Sequence, residues 1–238
     1  MNKKILKKAF IDTIPVLTGY LALGIGFGIL LKTAGYGFWY SLFMPITMYA
    51  GAMQYVAVDV LKTSMPFFTV ALTTLLVNVR HLFYGISLIE EYRGAGLKKA
   101  YMIHALTDET YSLVSQDHSD IDKKDRIDYY FTVSLLDQTY WILGCVIGNL
   151  LGGIITFSTE GIDFVLTALF ITLFTDQWLK TKDHTSAIVG VVSTILCRVI
   201  FGVDNFLIPT MILIIVLLFG MRSKLEAKNM KEGEADGN

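Results

Sequence analysis

The sequence predicts an all-α fold: a polytopic transmembrane helical bundle of six to eight hydrophobic segments, with broken or re-entrant helices in its first half. Three observations predict it. The chain of 238 residues is 53% hydrophobic and 17% charged, with a mean hydropathy of +0.54. Its apolar runs repeatedly approach the about 20 residues that a helix needs to cross ~30 Å of hydrocarbon. Its charges gather between and beyond those runs, leaving a sparse polar set inside them.

Taken in order, residues 1–13 carry Lys3, Lys4, Lys7 and Lys8 and read as a basic cytoplasmic N-terminus. They mimic a secretory signal, but the apolar run that follows continues to Leu31 and further spans succeed it, so it is the first transmembrane helix. Segment one covers about 14–31, with Pro15 in its first turn, where a missing N–H does least harm. Gly24 and Gly28 lie one helical turn apart, a spacing that permits close helix contact. Segment two, about 37–60, is interrupted by Pro45 and then by Tyr49-Ala50-Gly51-Ala52-Met53-Gln54, which predicts a break between Pro45 and Gln54. Discontinuous membrane helices expose backbone groups that a small solute can use.

Segment three, about 66–89, ends in Asn78-Val79-Arg80-His81-Leu82-Phe83-Tyr84-Gly85. At 100° per residue, Asn78, Arg80, His81, Tyr84, Gly85 and Ser87 fall on one half of the helix. Val79, Leu82, Phe83, Ile86 and Ile89 fill most of the other half. Either Arg80 and His81 snorkel to the headgroups from a helix end, or this half faces a polar interior, where an ionisable group marks a functional site. Segment four, about 100–115, follows a charged loop and is too short and polar to span alone. It carries His104, Asp108 and Glu109, with His104 and Asp108 one turn apart on a shared face.

The stretch 117–128 is charged and reads as a cytoplasmic loop. Segment five, about 129–157, holds Asp137 and the series Gly144, Gly148, Gly152, the strongest packing motif in the chain, suited to an internal helix or a docked partner. Segments six (162–178, ending near Asp176), seven (185–203, with Arg198) and eight (206–221) complete a single transmembrane domain over 14–221. Residues 222–238 are charged, poor in apolar residues and expected to be disordered. A loose likeness between 68–72 and 164–169 falls short of an internal repeat. Lysine and arginine placement puts both termini in the cytoplasm. If the 90–99 loop is also inside, segments two and four are re-entrant and there are six spans; otherwise there are eight.

Several chemistries are excluded by missing motifs. No phosphate-binding loop, H-E-x-x-H, cysteine-rich metal spacing or G-x-S-x-G occurs, so no cofactor and no metal are expected. The basic patches lack the interleaved aromatics of a nucleic-acid surface, so no nucleic-acid partner is expected. Cys145 and Cys197 read as small packing residues. Asp59 and Asp176, beside lysines, read as interfacial, and Asp137 and Arg198 as buried structural partners, with each other as one candidate pairing. Arg80, His81, Asp108 and Glu109 remain as the functional set. A membrane-buried carboxylate can take up a proton while a nearby arginine opposes it, the competition that a proton-coupled site requires.

Pro15 with Gly19-Tyr20, then Tyr49-Ala50-Gly51-Ala52-Met53-Gln54, then Asn78 to Gly85, then Thr107-Asp108-Glu109 also occur in the order and approximate spacing of the AzlC/YgaZ family. The chain resembles that family specifically over about residues 10–155; beyond, the likeness is one of hydropathy. Met53 stands where relatives often carry a small polar residue. The resemblance implies a multi-pass protein of the bacterial inner membrane, engaged in branched-chain amino acid export and azaleucine resistance with a small hydrophobic AzlD/YgaH-like membrane subunit. It brings no binding residues with it.

From the polar residues themselves, an exporter of valine, leucine or isoleucine is expected to use Gly51 and Gln54 at the broken segment, with Asn78, Arg80, Asp108 and Glu109, as its substrate-binding set. Asp108 or Glu109 takes the ammonium or the coupling proton, Arg80 takes that carboxylate or the substrate's, and His81 is a second proton group or a structural donor. The chain is not expected to be an enzyme. The alternatives are an intramembrane enzyme built on His81, His104, Asp108 and Glu109, and a non-transporting subunit whose Gly144/Gly148/Gly152 face serves only assembly.

Overall fold

A computed structural model describes residues 3–63, 65–116, 118–119, 121–154, 171, 174–175, 178–179, 183–206, 209–210 and 212–221. Expectations for most of segment six with Asp176, for the likeness at 164–169 and for the tail 222–238 lie outside these residues. The chain divides into two compact units, Met1–Phe170 and Ile171–Asn238.

In the first unit, α1 (Lys3–Asp12) is followed directly by α2 (Ile14–Thr33). Pro15 sits in the first turn of α2, and Gly35, at φ +92°, ends the chain's run just beyond it. Segment two is two short helices, α3 (Phe38–Thr47) and α4 (Gly51–Lys62), as the proline and the Gly-Ala run predict. Met48 and Ala50 leave helical geometry between them. A helix that stops inside the protein strands its last carbonyls, and neighbouring side chains take up two of them here. His104 Nε2 donates to the Ile46 carbonyl at 2.8 Å and Gln138 Nε2 to the Pro45 carbonyl at 3.3 Å.

Segment three is α5 (Phe67–Ser87), and segment four is α6 (Leu97–His104) and α7 (Asp108–Val114). The helix therefore ends at His104 and restarts at Asp108, so the shared His104/Asp108 face does not exist. Thr107 interrupts it: its hydroxyl accepts the Thr110 N–H at 3.3 Å as an N-cap, an alternative to the continuous helical ladder that threonine side chains offer. Asp108 and Glu109 occupy the first turn of α7, where carboxylates suit the helix dipole.

Helix α8 (Lys123–Gly152) begins six residues before the expected segment, so the end of the charged stretch 117–128 is helical. Its Tyr129 and Tyr130 explain why: both are buried against Ile5, Ala9, Tyr92 and Met102. At 1.5 Å per residue α8 is about 45 Å long and outreaches a bilayer's hydrocarbon. In the second unit α9 (Thr185–Asn205) turns sharply at Gly202, φ +75°, and α10 (Ile212–Met221) is shorter.

Four described helices are long and apolar enough to cross a membrane: Ile14–Thr33, Phe67–Ser87, Lys123–Gly152 and Thr185–Gly202. Neither segment two nor segment four supplies one. The centre of the first unit is the contact of α2 with α8, which run parallel, Gly24 against Gly144 and Gly28 against Gly148. A Cβ on Gly28 would stand 2.1 Å from the Cys145 carbonyl oxygen, and one on Gly148 would stand 2.1 Å from that of Ile25. The Gly144/Gly148/Gly152 face is thus filled by an internal helix, α2.

Gly28→Ala and Gly148→Ala are each expected to lower stability by about 1–3 kcal/mol through overpacking against backbone that has nowhere to move. Gly19→Ala, with nothing within 4 Å of its Cβ position, is the neutral comparison. Thermal unfolding of the detergent-solubilised variants, followed by size-exclusion chromatography, measures the difference.

Candidate functional site

The polar half of α5 is where the sequence places it. Val79, Leu82, Phe83, Ile86 and Ile89 are exposed, whereas Asn78, Arg80, His81, Tyr84 and Gly85 are half-buried; Ser87 alone departs, being exposed. No residue of α5 is fully buried; the helix packs against α4 and makes polar contacts with α7 at its C-terminal half. Arg80 Nη1 reaches Asp108 Oδ2 at 2.6 Å, with 28% and 24% of the two side chains exposed. The Tyr84 hydroxyl donates to Asp108 Oδ1 at 2.6 Å, and its ring stacks on Tyr111 at 4.4 Å. Both oxygens of Asp108 are therefore engaged by α5. Arg80 thus joins segment three to segment four.

His81 uses Nδ1–H on its own helix, at the Asn78 carbonyl (3.2 Å). Asn78 Nδ2 likewise bonds back to the Thr74 carbonyl at 2.9 Å, leaving its Oδ1 buried and unpartnered; Arg80 Nε is buried and unpartnered too. His104 is exposed and committed to the Ile46 carbonyl, so the set His81, His104, Asp108 and Glu109 is not assembled as one acid–base centre. Among the described residues no three of His, Cys, Asp and Glu come together in a way that could hold a metal ion.

Glu109, adjacent in sequence to Asp108, faces a different way. Its Oε2 accepts from the Tyr20 hydroxyl of α2 at 2.7 Å. Tyr20 also meets the Thr107 hydroxyl at 2.7 Å, Thr107 meets Thr110 at 3.1 Å, and the Thr110 hydroxyl donates to Asp137 Oδ2 of α8 at 2.8 Å. Asp137 is fully buried, and its other oxygen has no partner. It belongs to this cluster, and Arg198 is exposed on α9 of the second unit, so a buried structural role for Arg198 is not what the structure shows.

At the break between α3 and α4, Gln54 is fully buried, its carbonyl oxygen accepting from Trp141 Nε1 at 2.6 Å while its Nε2 lacks a partner. The Tyr49 hydroxyl is also buried and unpartnered. Gly51 lies against the Trp141 indole, 3.2 Å from where a Cβ would be. Buried polar atoms are nearly always bonded, so Tyr49, Gln54, Asn78, Arg80 and Asp137 together hold an unusual reserve of unused hydrogen-bonding capacity. Sequence reasoning missed Tyr20, Tyr49, Thr107, Thr110 and Trp141 as members of the polar interior. The N-cap pattern at Thr107 and the acid four residues before Trp141 were the available signals.

The fold and these contacts define a helical membrane protein with a hydrogen-bonded polar interior. The chain belongs to the AzlC family: the AzlC protein family matches residues 15–155. It is 39% identical over 233 residues, 95% of this chain and 91% of the relative, to the branched-chain amino acid transport protein AzlC of Bacillus subtilis. An uncharacterized membrane protein of Helicobacter pylori (strain ATCC 700392 / 26695) is 38% identical over 94% of this chain and 97% of its own length. The inner membrane protein YgaZ of Escherichia coli is 26% identical over 85% and 82%. No solved structure matches the chain.

If the Arg80–Asp108 pair fastens α5 to α7, a double-mutant cycle on Arg80→Ala and Asp108→Ala gives a coupling of about 1–3 kcal/mol. Unfolding of the two single variants and the double variant in lipid nanodiscs provides the value; additive effects would mean that the pair contributes nothing.

Proposed function

We propose that this chain is the large subunit of a secondary transporter that exports branched-chain amino acids from the cytoplasm, coupled to protons. It would sit in the bacterial inner membrane with both termini cytoplasmic and work with a small hydrophobic AzlD/YgaH-like membrane subunit. The relative in Bacillus subtilis is named for branched-chain amino acid transport, which supports the substrate class. Helices α2 and α8 run parallel, so their basic N-terminal ends lie together, which supports the orientation.

The observation that carries the reading is the Arg80–Asp108 pair on a helix none of whose residues is fully buried. An amino-acid zwitterion carries the same two charges as that pair. Its carboxylate can take the place of Asp108 on Arg80, and its ammonium the place of Arg80 on Asp108, so that the substrate opens the contact that closes the empty protein. Desolvated, such an exchange keeps every charge paired, which a membrane interior demands. Asn78 Oδ1, Gln54 Nε2 and the backbone at Gly51 offer further polar contacts as α5 moves, while the aliphatic side chain needs only apolar surroundings. Glu109, bonded by a hydroxyl and not by an arginine, is free to carry the coupling proton. His81 is a second proton group.

Counterflow of labelled valine into proteoliposomes holding both subunits tests this directly. Leucine and isoleucine are expected to compete, and lysine and glutamate are not. Asp108→Asn should lower counterflow roughly ten- to hundredfold, the loss of one charged hydrogen bond to substrate. If Asp108→Asn and Glu109→Gln both keep wild-type export at normal expression, the carboxylates are not at the site.

A further inference from the structure

We propose that Asp137 is a proton-binding site and that Thr110, Thr107 and Tyr20 form a hydroxyl relay through which it exchanges a proton with Glu109. For its transport consequences this rests on the coupled-exporter reading; the binding of the proton itself does not.

The relay is continuous. Four contacts of 2.7, 2.7, 3.1 and 2.8 Å lead from Glu109 Oε2 through the hydroxyls of Tyr20, Thr107 and Thr110 to Asp137 Oδ2. Each hydroxyl has one hydrogen to give and lone pairs to receive another, so each can pass a proton on without moving its heavy atom. The hydroxyls also join α2, which ends at Thr33, to α7 and α8, which begin at Asp108 and Lys123.

Its polarity is informative. Tyr20 donates to Glu109 and Thr110 donates to Asp137, with Thr107 between them. Both ends are therefore set to receive. When Glu109 takes up a proton it becomes a donor, and Tyr20 turns to Thr107. All four bonds then point the same way. The Glu109 O–H breaks, each hydroxyl hands its hydrogen to the next, and an O–H forms at Asp137 Oδ2. One proton moves, no other group changes, and Glu109 is left as the anion.

Asp137 has reason to accept it. The side chain is wholly buried, its only described donor is Thr110, and Oδ1 faces the interior without a partner. An anionic oxygen left so is far more costly than the carbonyl oxygen of a neutral acid. Asp108 differs on each count: it has Arg80 on one oxygen and Tyr84 on the other. Around the relay, Tyr49 from the α3–α4 break and Tyr101 from α6 interact electrostatically with Asp137, and Asp108 and Arg80 with Glu109. No lysine or arginine forms an ion pair with Asp137 or Glu109 among the described residues.

Infrared difference titration of the full chain in lipid nanodiscs tests the site without transport. The wild type is expected to show a protonated-carboxyl band that disappears as pH rises and is missing in Asp137→Asn. A band unchanged in that variant overturns the assignment. Should Asp137→Asn not fold, Thr110→Val decides: losing the donor at Oδ2 shifts the band if it belongs to Asp137 and leaves it in place if not. In proteoliposomes with the small subunit, Thr110→Val should reduce pH-gradient-driven valine transport about tenfold or more, with a much smaller effect on valine counterflow, and Thr110→Ser should restore it. Equal losses in both assays, or none, overturn the relay. A wild type without valine counterflow would sink the exporter reading and leave the infrared result standing.

Discussion

The close approach of α2 and α8 is the constraint on which the rest of the first unit depends. Gly24 and Gly28 meet Gly144 and Gly148 with backbone against backbone, at separations where a Cβ would fall 2.1 to 3.0 Å from its neighbours. In a bilayer no hydrophobic force draws helices together, so this kind of contact, small residues allowing dense packing, has to supply the association. One turn before the glycines stands Tyr20 on α2, and just before Gly144 stand Asp137 and Trp141 on α8. The glycine contact therefore sets how far Tyr20 lies from Asp137, and leaves a gap that the α7 N-cap, Thr107 to Thr110, bridges with hydroxyls.

The two breaks in regular structure serve the same interior. Helix α3 ends at Thr47 because Pro45 and the residues after it do not continue the ladder, and the stranded carbonyls of Pro45 and Ile46 are met by Gln138 and His104. Helix α6 ends at the residue that supplies one of those donors. The polar breaks thus support one another, which is how irregular backbone is tolerated away from water. Three side chains near the first break, Tyr49, Gln54 and Asp137, keep unused polar atoms, and α5 reaches α7 through Arg80 and Tyr84 on Asp108. An ion pair of that kind can be exchanged for a ligand with complementary charges, whereas an apolar interface of equal strength cannot.

Two carboxyls adjacent in sequence, Asp108 and Glu109, have different chemistry because they point to different helices. Asp108 is ion-paired with Arg80. Glu109 meets a phenol that can both give and receive hydrogen, and through it reaches Asp137. In the proposed reading, substrate exchange and proton storage fall to neighbouring but separate groups, both in the first turn of α7.

Much of this was legible in the sequence. The glycine rows at four-residue spacing, the proline and Gly-Ala break, and the two-sided character of α5 are local patterns, fixed by helical geometry and by what Pro and Gly do to a backbone, so each survives into the structure at the expected residues. The contents of the polar interior were not. Nothing local distinguishes an Asp137 that neutralises an arginine from one at the end of a hydroxyl chain. Nor does spacing show that Thr107 cuts segment four and separates His104 from Asp108. Those outcomes depend on which side chains α2, α7 and α8 bring within about 3 Å of each other, and that is a matter of tertiary packing, above all of the glycine faces of α2 and α8.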